Sequence, residues 1–221
     1  MAYRSKNRRT AGKGYTGKQH QFATVPRVSM PRSIFNRSSG HRTTMDASFL
    51  YPMMVDEVLP GDTINMQSGI FARMATPIWP VMDNFYLDQI WFFVPYRIVW
   101  DNWNRFMGEQ DGPSDTTEFQ LPTITEDVQH DSLSDYLGLP IAGAPITFHA
   151  LHHRGHALIY NEWFRDQNLQ ELTPVPKDDG PDDPAQYVIH RRGKRHDYFT
   201  GCLPFAQKGD SVQLPLGQQA P

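Results

Sequence analysis

Met82-Asp-Asn-Phe-Tyr-Leu-Asp-Gln-Ile-Trp-Phe-Phe-Val-Pro-Tyr-Arg-Ile-Val-Trp-Asp-Asn-Trp-Asn-Arg-Phe-Met-Gly108 is the stretch whose reading decides the fold. From Phe85 to Val94 only Asp88 and Gln89 are not apolar, and Pro95 ends the run. A short segment rich in aromatic and β-branched residues and stopped by proline reads as a strand. It does not alternate apolar with polar, so both of its faces need cover, from another sheet, a helix or another copy of the chain. Beyond Pro95 the period changes. Val99, Trp100, Trp103, Phe106 and Met107 fall on one side of a helix, with Asp101, Asn102, Asn104 and Arg105 opposite. Gly108 stands where a left-handed C-terminal cap belongs. Trp91, Phe92, Phe93, Trp100, Trp103 and Phe106 are therefore read as packing or assembly residues, and the stretch carries no catalytic group.

With 221 residues the chain can bury one sizeable core. Eighteen Pro and sixteen Gly, without a long helical pattern, favour strands and long loops over a helix bundle. The single cysteine, Cys202, excludes an intrachain disulfide framework and fits a reducing compartment. No run of about 18 apolar residues is present, so no membrane span is expected. The N-terminus is charged but has no apolar segment of the secretory type.

Charge is divided sharply along the chain. Residues 1–42 hold ten Lys/Arg and no acidic group; residues 43–221 hold eleven basic against twenty-four acidic groups, a net −13. The segment 1–42 is read as a largely extended basic arm. Its apolar content is too low to fold alone, and Arg4, Lys6, Arg8, Arg9, Lys13 and Lys18 suit phosphate contacts that release counterions. Tyr3 and Tyr15 could stack on unpaired bases. The competing reading is a solvated tail lying on the acidic body. Gly12-Lys-Gly-Tyr-Thr-Gly17-Lys18 matches a phosphate-binding loop by letter. Gln19 follows where a Ser or Thr is needed, and no strand precedes it, so a nucleotide site is rejected.

The body from Thr43 begins with strand-like pieces at Met45–Tyr51, Met53–Leu59, Thr63–Gln67 and Gly69–Ala75, with a turn at Pro60-Gly61-Asp62. Asp56, Glu57 and Asp62 are read as turn and edge residues in water, because no histidine or ligand pattern joins them in sequence. Glu109–Asp131 reads as a long surface loop and Leu172–Gln186 as an acidic, proline-rich one. Ser132–Gly138 reads as a short helix with a capping-box start and a glycine stop.

A second aromatic helix is expected over Ala157–Arg165, with Trp163 and Phe164 as further packing residues. Upstream, His149, His152, His153 and His156 are spaced to share a helix face, a plausible zinc or nickel arrangement. Gly155 is expected to interrupt that helix, and no carboxylate or cysteine is interleaved. Polar surface and pH-sensitive packing compete with the metal reading; no metal and no cofactor is assigned. Arg191, Arg192, Lys194 and Arg195 form a second basic cluster, read as a solvated face or as a contact to phosphate or to a neighbouring subunit. Tyr198–Gly217 is one more strand-like piece.

Several phrases resemble one family. They are Val55-Asp-Glu-Val-Leu-Pro-Gly-Asp62, Phe71-Ala-Arg-Met-Ala-Thr-Pro-Ile78, Met82-Asp-Asn84, Phe92-Phe-Val-Pro95, Trp100-Asp-Asn-Trp103, Arg105-Phe-Met-Gly-Glu-Gln110, Tyr160-Asn-Glu-Trp-Phe-Arg-Asp166 and Gly193-Lys-Arg-His-Asp-Tyr198. In this order they resemble the major capsid protein of microviruses, the small single-stranded-DNA bacteriophages, and its gokushovirus branch in particular. The resemblance implies a mainly-β fold: a viral single jelly roll of eight antiparallel strands, with long inserted loops and a few short helices. It implies that residues 43–221 are the N-terminal portion of that domain, with loop insertions near 109–131 and 172–186 and closing strands expected beyond Pro221. It further implies a non-enzymatic subunit, about sixty copies of which form a T=1 icosahedral capsid around circular single-stranded DNA. Other virion or scaffolding proteins and a host surface receptor are the implied partners. Assembly is expected in the host bacterial cytoplasm, with the virion as the final location. The alternative is a non-capsid protein that binds single-stranded nucleic acid through its arm, and a histidine-based metal-dependent hydrolase is a distant third.

Overall fold

The computed structural model describes residues 31–82, 84–115, 118–167 and 169–193. The chain divides into two units, Met1–Gly40 and His41–Pro221. In the first, residues 31–40 are exposed and irregular, with Asn36 Oδ1 accepting from the Ser38 N–H at 3.0 Å and from its hydroxyl at 2.6 Å.

Among the described residues the second unit holds a few short helices and one small antiparallel sheet. In order these are α1 (Trp103–Phe106), β1 (Thr123–Glu126), α2 (Leu133–Tyr136), β2 (Ile146–His149) and α3 (Leu151–Ile159). A π-helical turn, Tyr160–Phe164, continues α3, and single 3-10 turns stand at Tyr96–Ile98 and Pro184–Gln186. β1 and β2 pair antiparallel with Thr123 opposite His149 and Glu126 opposite Ile146. The Thr125 and Thr147 hydroxyls meet across the pair at 2.9 Å. This architecture agrees with a mainly-β capsid protein at the level of element content.

α3 is the wall shared by two apolar clusters. On one side Ile124, Leu133, Ala150, Ala157 and Tyr187 are buried together, with Leu137, Phe148, Val175 and Ile189 against them. On the other side Val99, Trp100 and Leu151 are buried, with Val94, Tyr96, Trp103 and Leu158 packed around. One helix can serve both because its small residues allow close approach. A Cβ added at Gly155 would lie 3.8 Å from Val94 Cγ1.

Local signals explain the short helices. The Ser132 hydroxyl caps α2 by accepting from the Asp135 N–H at 3.2 Å, and Gly138 ends it at φ +93°. Asp135 in turn accepts from the Asp131 N–H at 3.1 Å, one residue before the expected capping-box partner. Gly108 has φ +98°, the left-handed cap anticipated after the aromatic helix. That helix is shorter than expected: Val99 to Asn102 form turns, and only Trp103–Phe106 is helical. The Asp101 N–H bonds instead to the Lys177 carbonyl at 2.9 Å, which ties the turn to the 172–186 loop.

Several expectations are corrected. Residues 84–95 form no strand, nor do 53–59, 63–67 or 69–75; around 45–51 there is only an isolated antiparallel bridge between Phe49 and Arg191. A strand exists only through its ladder partner, and here the described residues supply none. The apolar side chains accordingly stay uncovered, Phe85 at 68% and Phe93 at 79% exposure. β1 falls within the stretch expected as loop, with Ile124 fully buried. Gly155 does not interrupt the histidine helix but lies inside α3, which starts at Leu151 rather than near Ala157. The strand-like piece 198–217 lies outside the described residues.

Candidate functional site

The four histidines do not share one face. His149 is the last residue of β2, and Ala150 alone separates it from α3, so the chain turns sharply and brings the His149 and His152 rings to 4.5 Å. Glu57, from the irregular segment 53–59, completes this group: its carboxylate and the two imidazoles offer ligand atoms all within 4.8 Å of one another. The Tyr96 hydroxyl lies between them, donating to Glu57 Oε1 at 2.9 Å and standing 3.0 Å from His152 Nε2. Having given its proton to Glu57, it accepts from the Nε2–H of His152. Burial first, and then the hydrogen bond and charge of Glu57, push the Tyr96 phenol well above its ordinary range. His152 is held below its usual value, by burial and then by the charge of His149, against the opposing pull of Glu57.

His153 points the other way, into the first apolar cluster. Its ring is 5.1 Å from Phe148 and 5.5 Å from Tyr187. The Ser134 hydroxyl donates to Glu126 Oε2 at 2.5 Å and therefore accepts from His153 Nε2–H at 3.0 Å. Nδ1 then carries a lone pair with no hydrogen-bond partner among the described residues. Burial, reinforced by the neighbouring His156, lowers this imidazole to about 3. His156 occupies a third environment beside His190 and the Leu50 backbone, and is lowered to about 4, again mainly by burial.

Between the two apolar clusters, Arg154 is wholly buried and held by Asp182, at 2.7 and 2.6 Å, and by the carbonyls of Val99 and Asp178, at 3.1 and 2.9 Å. The Tyr187 hydroxyl donates to the same Asp182 at 2.6 Å. Asp179, from the same loop, accepts from Trp100 Nε1 at 2.7 Å and from Asn102 Nδ2 at 2.9 Å. The acidic 172–186 loop thus supplies acceptors, Asp182 buried and Asp179 half-buried, that hold α3 and Trp100 in place. This arrangement holds the fold together; no nucleophile and base stand together in it.

Of the packing residues named from sequence, Trp100 is buried and meets Phe106 at 5.5 Å, tilted, and Trp103 at 6.3 Å, edge-on. Phe92 meets Trp163 at 5.6 Å and Phe164 at 5.7 Å, both edge-on. Trp91, Phe93 and Trp163 are largely exposed. Arg191 lies over the Phe49 ring at 4.7 Å, and Arg192 is 2.5 Å from Asp88 and 5.8 Å from the Phe164 ring. Arg4, Lys6, Arg8, Arg9, Lys13, Lys18, Lys194 and Arg195 lie outside the described residues. Sequence reasoning missed Arg154 and Asp182 and did not join Glu57 to the histidines. Asp62 accepts from the Leu59 N–H at 3.2 Å, as a turn residue does. For Arg154 a signal was available: an arginine in a helix that also carries Leu151, Gly155, Ala157 and Leu158 needs an acid wherever that helix is buried.

Three relatives bear on identity. The chain is 50% identical over 206 residues to "Capsid protein VP1" of Bdellovibrio phage phiMH2K, covering 92% of this chain and 39% of the relative. It is 40% identical over 222 residues to the protein of the same name from Chlamydia phage 1, covering 90% of this chain and 37% of that one. Against "Capsid protein VP1" of Spiroplasma virus 4 it is 31% identical over 219 residues, 91% of this chain and 39% of the relative. The chain therefore spans about two fifths of the length of the curated relatives it matches. Residues 23–221 match the family described as "Capsid protein (F protein)", and with its uncovered aromatic segment and its polar clusters spent on holding the fold, this chain belongs to that family of phage capsid proteins.

Proposed function

We propose that this chain forms part of a structural, non-enzymatic major capsid subunit. The subunit is built on an eight-stranded jelly roll, and about sixty copies assemble into a T=1 icosahedral shell around circular single-stranded DNA. The observation that carries this reading is the uncovered segment 84–95. Phe85, Tyr86, Leu87, Ile90, Trp91 and Phe93 are exposed in one extended piece, which no monomeric soluble protein keeps in water. Such a piece is covered when jelly-roll strands from sequence not present here pair with it, or when a neighbouring subunit packs on it. The relatives' greater length supports the first source and a closed shell requires contacts of the second kind.

In this reading Arg4, Lys6, Arg8, Arg9, Lys13 and Lys18 face the packaged DNA, while Arg191, Arg192, Lys194 and Arg195 contact phosphate or a neighbouring subunit. The virion is the final location, the host bacterial cytoplasm the place of assembly, and scaffolding proteins and a host surface receptor the further partners. The test is particle mass and shape, by light scattering and negative-stain microscopy, for the full-length gene expressed with its genomic neighbours so that any assembly partner is supplied. Closed shells of about sixty subunits are expected. A monodisperse monomer or dimer that binds single-stranded DNA would replace this reading with that of a non-capsid binding protein. If the arm is the DNA contact, deleting residues 1–18 lowers the slope of log affinity against log salt by roughly four, at about 0.7 per phosphate for six contacts on single strands.

A further inference from the structure

We propose that Glu57, His149 and His152 form a three-ligand site for a divalent transition-metal ion of the zinc class, with its fourth position open to water. The residues come from three places: the irregular segment 53–59, the end of β2 and the first turn of α3. Convergence from separate segments is what a single helix face of histidines lacks. Zinc bonded at about 2.0–2.1 Å in tetrahedral geometry places its ligand atoms roughly 3.3 Å apart. His152 Nε2 and Glu57 Oε1 already stand at 3.5 Å, and the whole group closes within 4.8 Å, so binding requires side-chain adjustment rather than refolding.

One further observation favours an ion here. His149 Nδ1 is buried with no hydrogen-bond partner among the described residues, an uncompensated polar atom that the compact turn at Ala150 maintains. The Tyr96 hydroxyl bonds to the same Glu57 Oε1 and His152 Nε2, so an ion there replaces these two hydrogen bonds and takes His152 in the tautomer whose Nε2 lone pair is free. Two imidazoles with one carboxylate suit zinc, nickel or copper and disfavour magnesium and calcium, which take oxygen ligands. Glu57 remains 59% exposed, so an ion can reach the site from solvent. Bound there, it would cross-link the 53–59 segment to the β2–α3 corner.

The experiment titrates zinc chloride into the chelator-stripped full-length protein, with a chromophoric chelator reporting free ion and elemental analysis giving the stoichiometry. About one zinc per chain is expected, together with a higher melting temperature that excess magnesium does not reproduce. Glu57→Gln and His152→Asn should each weaken zinc at least tenfold and abolish the thermal shift, and Tyr96→Phe, which removes a competitor for the ligand atoms, should not weaken it. The exposed His130→Asn serves as control and leaves binding unchanged. Glu57 is a surface side chain, so Glu57→Gln decides the matter even if the histidine variant folds poorly. No stoichiometric uptake, or uptake that Glu57→Gln leaves intact, would overturn the proposal.

Discussion

Arg154 and Asp182 meet as a two-pronged ion pair shut off from solvent, their side chains 0% and 1% exposed. Arg154 Nε reaches Asp182 Oδ2 at 2.7 Å and Nη2 reaches Oδ1 at 2.6 Å, while Nη1 donates to the carbonyls of Val99 and Asp178. One guanidinium thus joins α3, the turn before α1 and the 172–186 loop. The net worth of such a pair against an apolar replacement is small, because both charges leave water. Removing one partner is costly, because the other is then stranded.

Asp182→Asn should therefore destabilise the protein by about 3–5 kcal/mol, although it changes almost no volume. Arg154→Lys should cost a comparable amount, since a single ammonium cannot reproduce the fork and the two carbonyl contacts. The double variant Arg154→Met with Asp182→Leu should lose less than either single one. Urea denaturation of wild type and the three variants makes the comparison, and single-variant costs below about 1 kcal/mol would refute the stranded-charge argument.

Gly155 and Gly180 should respond to alanine with opposite signs. Gly155 is helical, and its added Cβ finds only Val94 Cγ1 at an ordinary 3.8 Å, so Gly155→Ala should stabilise by about 0.5–1 kcal/mol through helix propensity. Gly180 has φ +72°, and a Cβ there would sit 3.2 Å from Pro122 Cα, which is backbone and cannot rotate away. Gly180→Ala should cost about 1–2 kcal/mol for the left-handed conformation alone, and more for the contact. Melting temperatures moving in the same direction would contradict this assignment.

How far the sequence was legible follows from the range of each signal. Short-range signals carried through: the Ser132 cap and the glycine stops at Gly108 and Gly138 depend on neighbours a few residues away. The strand expected at 85–94 did not, because apolar content says that a segment needs cover without saying which residues provide it. The acidic loop is a loop as expected, but its contacts were not legible for a related reason. Asp179 and Asp182 look like solvent residues until Trp100, 79 positions from the first, and Arg154, 28 positions from the second, are seen to donate to them. Glu57 likewise reaches the histidines only through the fold, and nothing within its own segment indicates that.

Trp100 and Trp163 separate a structural tryptophan from a surface one. Trp100→Phe removes the Nε1–H that Asp179 accepts at 2.7 Å and opens space among Trp103, Phe106 and Phe119, so a loss of about 2–4 kcal/mol is expected. Trp163 is 71% exposed, and Trp163→Phe should leave monomer stability within about 0.5 kcal/mol. Chemical denaturation of both variants provides the comparison. Equal costs would mean that Trp163 is buried by chain or subunit contacts of the full-length protein.

His156 should make the protein acid-labile in a defined window. Its folded value is about 4, lowered by burial and then by the facing His190, while its hydrogen bond with the Leu50 backbone opposes the shift. Tyr160 stacks on His190 at 3.9 Å, and Thr173 Oγ1 lies 2.9 Å from His190 Nε2, so no carboxylate among the described contacts offsets the two imidazoles. An unfolded histidine titrates near 6.5, so between about pH 6.5 and 4 the unfolded chain binds a proton that the folded one refuses. Stability is therefore full above pH 6.5 and falls as pH drops through that window, by as much as ~3 kcal/mol from this residue. His190, also lowered by burial, shifts stability in the same direction. His156→Leu should flatten the decline between pH 7 and 4 by more than half of the His156 share, whatever its effect at pH 7. Unfolding free energies at pH 7, 6, 5 and 4 for wild type and variant measure the difference in slope, and parallel curves would place the acid sensitivity elsewhere.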